Sequence, residues 1–307
     1  MTHDGILFIG DPHISSRAPG FRSDDYPRAI LDKLSWCLDY ASTKKLKPAL
    51  LGDLFHYPRD NANWLLTELI ELCSPLVPLA IYGNHDVREN AIKQDDSLSV
   101  LAASGAIELL AEDQPWTGVI SECQVVIGGS SWGTKLPARY ESEADHVFWM
   151  THHDLLVPGY EEFGRLKPKE LPGIDAVING HIHRQLETVQ VGGTSWITPG
   201  NISRVSRGDA TRQHTPAVLQ IEFRDEGWHP EWVTVPHGDF TDVFYEQVRE
   251  ANSDVAESLF VSGLVEMTAR RTDSGAGLQE FLSKNLPKFD EDVQVEINKL
   301  AEEVLKS

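Results

Sequence analysis

The sequence predicts an α/β fold from three observations. Short apolar runs suited to buried strands alternate with amphipathic helical stretches along the chain. Five short segments set Asp, Asn or His at the end of an apolar run, beside Gly in most of them, where open α/β sheets carry their sites. Near Pro236-His237-Gly238 the character changes to acidic and mixed, which divides the chain into a main domain over residues 1–237 and a small α+β appendage over 238–307.

In chain order, Ile6 to Ile9 reads as the first strand and Tyr26 to Lys44 as a long helix. Ala49 to Leu51 is the next strand, followed by a helix over Asn63 to Cys73. Leu79 to Tyr82 is a strand, Ser97 to Ser104 a short helix and Ile107 to Leu110 another strand. Val125 to Ile127, Val147 to Met150 and Ala176 to Ile178 are three more apolar runs of strand length. A β-rich stretch follows, with Leu186 to Val191, Thr194 to Ile197, Ala217 to Phe223 and Glu231 to Val235. The appendage reads as a helix at Asp242 to Glu250, a strand-like run Leu259 to Met267, and helices near Leu278 to Leu286 and Val293 to Leu305.

The five segments are GDPH from Gly10, GDLFH from Gly52, GNHD from Gly83, THH from Thr151 and GHIH from Gly180. Hard oxygens from Asp and Asn mixed with imidazole nitrogens suit borderline divalent ions such as Mn2+, Fe2+ or Zn2+, with Mg2+ or Ni2+ as further options. A centre holding two such ions roughly 3.5–4 Å apart needs one bridging carboxylate with further ligands on each side, and it activates water against phosphate esters. Asp11 and His13 stand two residues apart, so a strand continuing past Ile9 projects both to the same side. His181 and His183 repeat the device. His152 and His153 are neighbours that point to opposite faces, so one of them is the ligand.

This ordered set resembles the calcineurin-like metallophosphoesterase superfamily, whose pattern is D-x-H, G-D-x-x, G-N-H-D or G-N-H-E, a later His, and G-H-x-H. The run Gly52 to His56 and the later Pro199-Gly200-Asn201-Ile202-Ser203-Arg204 further resemble SbcD-like DNA repair nucleases of phage and bacterial type, which pair with an SbcC-like coiled-coil ATPase. The resemblance implies a four-layer α/β/β/α sandwich. It implies one ion on Asp11, His13 and His183 and a second on Asn84, His152 and His181, with Asp53 between them. His85 matches the family's catalytic histidine, which protonates the leaving alkoxide or stabilises the transition state, and Asp86 is expected to hold its imidazole in the right tautomer. The family's spacing favours His152 over His153 as ligand, leaving His153 behind the ligands or against substrate. His56 matches a non-ligand histidine near the substrate path.

The expected function is therefore two-metal phosphodiester hydrolysis, with DNA exonuclease and endonuclease activity preferred and Mn2+ as the favoured ion. A small-molecule phosphodiesterase or phosphatase is the first alternative, and a regulatory subunit that keeps the fold without turnover is the second. Arg204 and Arg207 are candidate phosphate contacts or, equally, part of a solvated loop. His3, His146, His214, His229 and His237 read as surface or turn residues.

Composition limits the partners. With Lys+Arg 27 against Asp+Glu 47 the chain carries a formal charge of −20, which repels DNA at long range and moves much of any DNA affinity to a partner. No run of about 18 apolar residues is present and the N-terminus has no basic and apolar leader, so a cytoplasmic protein without a membrane span is expected. Cys37, Cys73 and Cys123 form no CxxC pair, and the first two fall in amphipathic helices where a small buried thiol is the default. Val293, Ile297, Leu300, Ala301 and Val304 share one helix face, which either docks the ATPase or packs on its own domain. A homodimer is a further option.

Overall fold

The first strand, β1 (Gly5–Ile9), is buried at every position. Its alternate side chains enter two different cores, which is why the run is continuously apolar rather than alternating. Leu7 and Ile9 face the helices, whereas Ile6 and Phe8 face a second sheet. The computed structural model describes residues 2–244 apart from 20, 21, 112 and 208, together with Gln294 and Ile297.

The elements follow in order as α1 (Tyr26–Thr43), β2 (Leu46–Leu50), α2 (Asn63–Cys73), β3 (Leu79–Ala80), α3 (Ser97–Ala103) and β4 (Glu108–Leu109). Then come β5 (Trp116–Ile120), β6 (Cys123–Ser130), β7 (His146–Thr151), β8 (Ala176–Asn179), β9 (Val189–Val191) and β10 (Thr194–Ile197). The described part closes with α4 (Asp209–Gln213), β11 (Ala217–Arg224), β12 (Gly227–Thr234) and the single turn α5 (Phe240–Val243).

These strands make two six-stranded sheets, ordered β12-β11-β1-β2-β3-β4 and β5-β6-β7-β8-β10-β9. In the first, β1 to β4 run parallel while β11 and β12 pair antiparallel at its edge. In the second, β6, β7, β8 and β10 run parallel, with β5 and β9 antiparallel at the edges. The sheets stack through Ile6, Phe8, Ala49, Leu51, Leu79 and Ile81 against Ile127, Phe148, Met150, Ala176, Ile178 and Ile197. The outer face of the first sheet is covered by α1, α2 and α3. That of the second carries Val126, Val147, Trp149, Val177 and Trp196, and is covered by irregular chain through Leu155, Val157, Leu171 and Ile174. The mixed α/β sandwich is thus present, its fourth layer built from loops. Both buried indoles in that layer are satisfied, Trp149 Nε1 donating to Ser130 Oγ and Trp196 Nε1 to the Lys169 carbonyl, each at 2.9 Å.

Local rules account for the helices. On α1, Asp25 accepts from the Arg28 amide at the N-terminus, and Ile30, Leu34, Cys37, Leu38 and Ala41 form the buried stripe. Cys37 and Cys73 are both buried in their helices. One strand, β5, escapes the sequence reading. It is an edge strand with alternating exposure and a glycine at its centre, so it presents no apolar run.

Of the helix expected at Asp242 to Glu250, Asp242 and Val243 are helical, at the end of α5; Phe244 is extended, against the expectation, and the rest lies outside the described residues. The expected strand Leu259 to Met267 and helix Leu278 to Leu286 also lie outside them. Of the helix expected over Val293 to Leu305, Gln294 and Ile297 are described, and both are helical. No helix among the described residues is long and apolar enough to cross a membrane.

Candidate metal centre

The loops after β1, β2, β3, β7 and β8 bring the sequence-marked side chains to one place, at the C-terminal ends of parallel strands from both sheets. Asp11, His13, Asp53 and His183 form one cluster and Asp53, His152 and His181 another, the ligand atoms of each lying within 4.8 Å of one another. Asp53 belongs to both. His13, His56 and His85 form a third grouping beside them.

The convergence of Asp11 and His13 does not come from continued strand pleating, as the sequence reading assumed. β1 ends at Ile9, and Asp11, His13, Asp53 and His181 all take left-handed backbone conformations, with φ of 41°, 50°, 47° and 68°. Residues other than glycine rarely adopt that region, so neighbouring groups must hold it. The His13 amide donates to the Asp53 carbonyl at 2.9 Å, Tyr26 Oη donates to the His13 carbonyl at 2.8 Å, and Ser203 Oγ donates to the Asp11 carbonyl at 2.9 Å. The Pro199 to Arg204 stretch therefore braces the first ligand loop from behind.

Two glycines make room. A Cβ on Gly83 would overlap Asp53 Oδ1 and sit 2.6 Å from His152 Nε2, so the GN pair exists for close approach rather than for a turn. Gly52, at φ +92°, needs its left-handed turn, and a Cβ there would sit 2.6 Å from His152 Nδ1.

The second-cluster histidines are oriented from behind. His152 Nδ1–H donates to the Leu51 carbonyl at 2.7 Å, turning Nε2 toward Asp53 Oδ2 at 3.3 Å and Asp11 Oδ1 at 3.8 Å. His181 Nε2 contacts Asp154 Oδ1 at 2.7 Å, and Nδ1 lies 3.0 Å from Asn84 Oδ1. The His181 amide donates to Asp11 Oδ1 at 2.8 Å, and Trp132 stacks on its ring with centroids 5.1 Å apart. In the first cluster, His13 Nε2 and His183 Nε2 are 2.9 Å apart.

These distances fit a divalent ion. Ligands at right angles about 2.1 Å from one ion sit about 3 Å apart, matching the Asn84–His181 and His13–His183 spacings. Among the described residues, Asp11 Oδ2 and His152 Nε2 are buried side-chain atoms without hydrogen-bond partners, and buried polar atoms are normally paired. Electrostatics agree. Burial pushes the Asp11 carboxyl up to about 8, with Asp53 adding to the effect. Burial works in the same direction on Asp53, yet His152, His85 and His13 hold it well below the usual carboxylate range. Burial opposes a charged His152, but Asp53 and Asp11 raise it to about 9. Burial and the facing His85 take His56 down to about 3, and burial takes His13 well below the usual histidine value. Asp11, Asp53 and His152 thus share buried charge that no lysine or arginine among the described residues neutralises, while His13 and His56 stay neutral, and a bound cation would hold both carboxylates ionised and displace the proton from His152.

Four expectations need correction. Asp86 does not hold the ring of His85: its carboxylate accepts from the amides of Gly83 and Phe55, both at 2.9 Å, and of Leu54 at 3.3 Å. The ring is held instead by the His56 carbonyl, to which His85 Nδ1–H donates at 2.8 Å. His153 is not available to substrate, since Nδ1 meets Thr151 Oγ1 and Nε2–H donates to the Thr134 carbonyl. Arg204 is buried, with its guanidinium on the carbonyls of His214 and Gly238, so it is neither a phosphate contact nor in a solvated loop. His214 is buried too, paired through Nε2 with the Asn201 carbonyl. Sequence reasoning missed Asp154 and Trp132. Asp154 directly follows the histidine pair, and that adjacency was its one available signal.

A two-sheet sandwich with a His/Asp double cluster sharing one carboxylate at its strand ends defines a metal-dependent phosphoesterase framework. The family model for calcineurin-like phosphoesterases matches residues 5–185, and the chain belongs to that family. Membership supports metal-dependent phosphoester hydrolysis as the chemistry of this site. No curated protein matches the sequence. Among solved structures the chain is similar to a hypothetical protein from Thermus thermophilus, at 13% identity and TM-score 0.45, covering 76% of this chain and 100% of that one. It is also similar to a conserved uncharacterized protein and predicted phosphoesterase from Streptococcus pneumoniae, at 12% identity and TM-score 0.36, covering 78% of this chain and 96% of that one. A third is Chaetomium thermophilum Vps29, at 15% identity and TM-score 0.31, covering 76% and 96% respectively.

Proposed function

We propose that the chain is a two-ion phosphodiester hydrolase acting on DNA, and the observation that carries the two-ion reading is the pair of clusters sharing Asp53. Asp11, His13 and His183 would hold one ion and Asn84, His152 and His181 the other, with Asp53 available to both. Mn2+ is the favoured ion for this mixed oxygen and nitrogen set. When bound, such ions activate water and neutralise charge that builds on the phosphoryl oxygens. The remaining work falls to the chain. The His56 carbonyl fixes Nδ1–H of His85, so that in its imidazolium form the ring can pass the Nε2 proton to the leaving oxygen and return to the neutral imidazole. Buried Asp53 stays ionised because the surrounding histidines favour its charge. Stacking of the His56 and His85 rings, with centroids 5.3 Å apart, keeps the proton donor from swinging away.

DNA as substrate rests on the GDLFH and PGNISR resemblance to SbcD-like nucleases. An SbcC-like coiled-coil ATPase, a cytoplasmic setting, an appendage over 238–307 that caps the site or binds the partner, and a homodimer belong to the same reading. The formal charge of −20 favours a second reading, a small phosphodiester, because an acidic surface repels polyanionic DNA. Mn2+-dependent cleavage of linear double-stranded DNA, run beside bis-p-nitrophenyl phosphate with wild type and His85→Ala, separates the two. Degradation of DNA by wild type and a loss of about 100-fold or more in the variant supports the nuclease. Cleavage of the small diester alone supports the second reading.

A further inference from the structure

We infer that Asp154 is a positioning residue for the second ion, acting through His181; the inference rests on the two-ion reading above. Asp154 sits on the segment after β7, directly beyond His152 and His153. Its Oδ1 lies 2.7 Å from His181 Nε2, and both side chains are mostly shielded, at 19% and 16% exposure. A carboxylate accepts only, so the His181 ring proton is drawn to Nε2 and the Nδ1 lone pair is directed at Asn84 Oδ1, 3.0 Å away. Two lone-pair atoms meeting at that distance are a ligand pair. Trp132 backs the ring face and the His181 amide is tied to Asp11 Oδ1, so edge, face and backbone of this histidine are all fixed.

The carboxylate does two things that an amide cannot do together. It selects the nitrogen that faces the ion, and its charge makes that nitrogen a stronger donor, which in other metal sites changes affinity by about 10–100-fold. The backbone of Asp154 has a separate task. Its carbonyl accepts from the amides of Arg165 and Leu166, both at 2.8 Å, and this anchoring of the loop survives any change of side chain.

The test is calorimetric titration of the metal-stripped full chain with Mn2+, using wild type, Asp154→Asn and Asp154→Glu, with thermal melting of each metal-free protein. The expected result is two binding events in wild type, a second event about 10–100-fold weaker in Asp154→Asn with the first unchanged, partial restoration in Asp154→Glu, and metal-free melting close to wild type throughout. Wild-type affinity for both ions in Asp154→Asn overturns the inference alone. A parallel loss of both events and of metal-free stability overturns it as well, since Asp154 would then hold the chain rather than the ring. If wild type itself binds no Mn2+, the two-ion reading fails and takes this inference with it.

Discussion

Asp86 is buried without any exposed surface, and three backbone amides share its carboxylate. It ties the start of the GNHD segment to the GDLFH segment, so its work is structural. Asp86→Asn keeps one acceptor and is expected to lose about 1–3 kcal/mol of unfolding free energy in urea, while the shape of the pH–rate profile stays as in wild type. A moved limb in that profile would return Asp86 to the proton-transfer machinery. The gathering of Asp11, His13, Asp53, His181 and His183 was legible in the sequence because their residue types recur beside apolar strand ends, whereas Asn84 and the choice of His152 over His153 as expected ligands rested on the family resemblance. Partners such as the His56 and Leu51 carbonyls were not legible, because a hydrogen bond between separate segments leaves no local trace, and Asp154 left only its place after the histidine pair. The left-handed backbone at four of the expected ligands is hidden for the same reason: it is imposed by Tyr26, Ser203 and the neighbouring loops.

At the scale of elements, α1 supplies more than cover for the first sheet. Besides Tyr26, it carries Lys33, whose Nζ donates to the Ile202 carbonyl at 2.9 Å in a site crowded by Arg22 and Arg204. Burial and these two neighbours lower the lysine to about 7 from an ordinary 10.5. Between those values the folded chain binds fewer protons here than the unfolded chain, so this group's contribution to stability rises with pH across the window and is lost as pH falls through it. In Lys33→Met that slope should vanish: the stability of wild type minus that of the variant is expected to climb from about pH 7 to about pH 10.5, measured by denaturant unfolding. Parallel curves would contradict the assignment. Most strands were legible because both faces are buried and the apolar run is continuous. β2 began earlier than expected, at Leu46, despite Pro48. Leu50 accepts from Ile81 on the β3 side, and alternation puts the Pro48 nitrogen on that side as well, one residue before β3 pairing begins at Ala49.

For the whole molecule, the two sheets matter because neither holds the site alone. The Asp11, His13, Asp53 and Asn84 segments leave the first sheet, and His152, His181 and His183 leave the second, so the apolar layer between the sheets sets their separation. That layer was foreseeable as a sandwich from family resemblance, not from periodicity, since apolar runs do not say which strands share a sheet. Under the proposed function this shared site works through bound divalent ions. The most direct measurement is hydrolysis of bis-p-nitrophenyl phosphate by the chelator-stripped chain as Mn2+ is returned, in wild type and Asp53→Asn. No turnover is expected after stripping, with recovery on Mn2+ in wild type and a loss of about 100-fold or more in Asp53→Asn at every Mn2+ concentration. Turnover that survives stripping, or an Asp53→Asn rate equal to wild type, would contradict it.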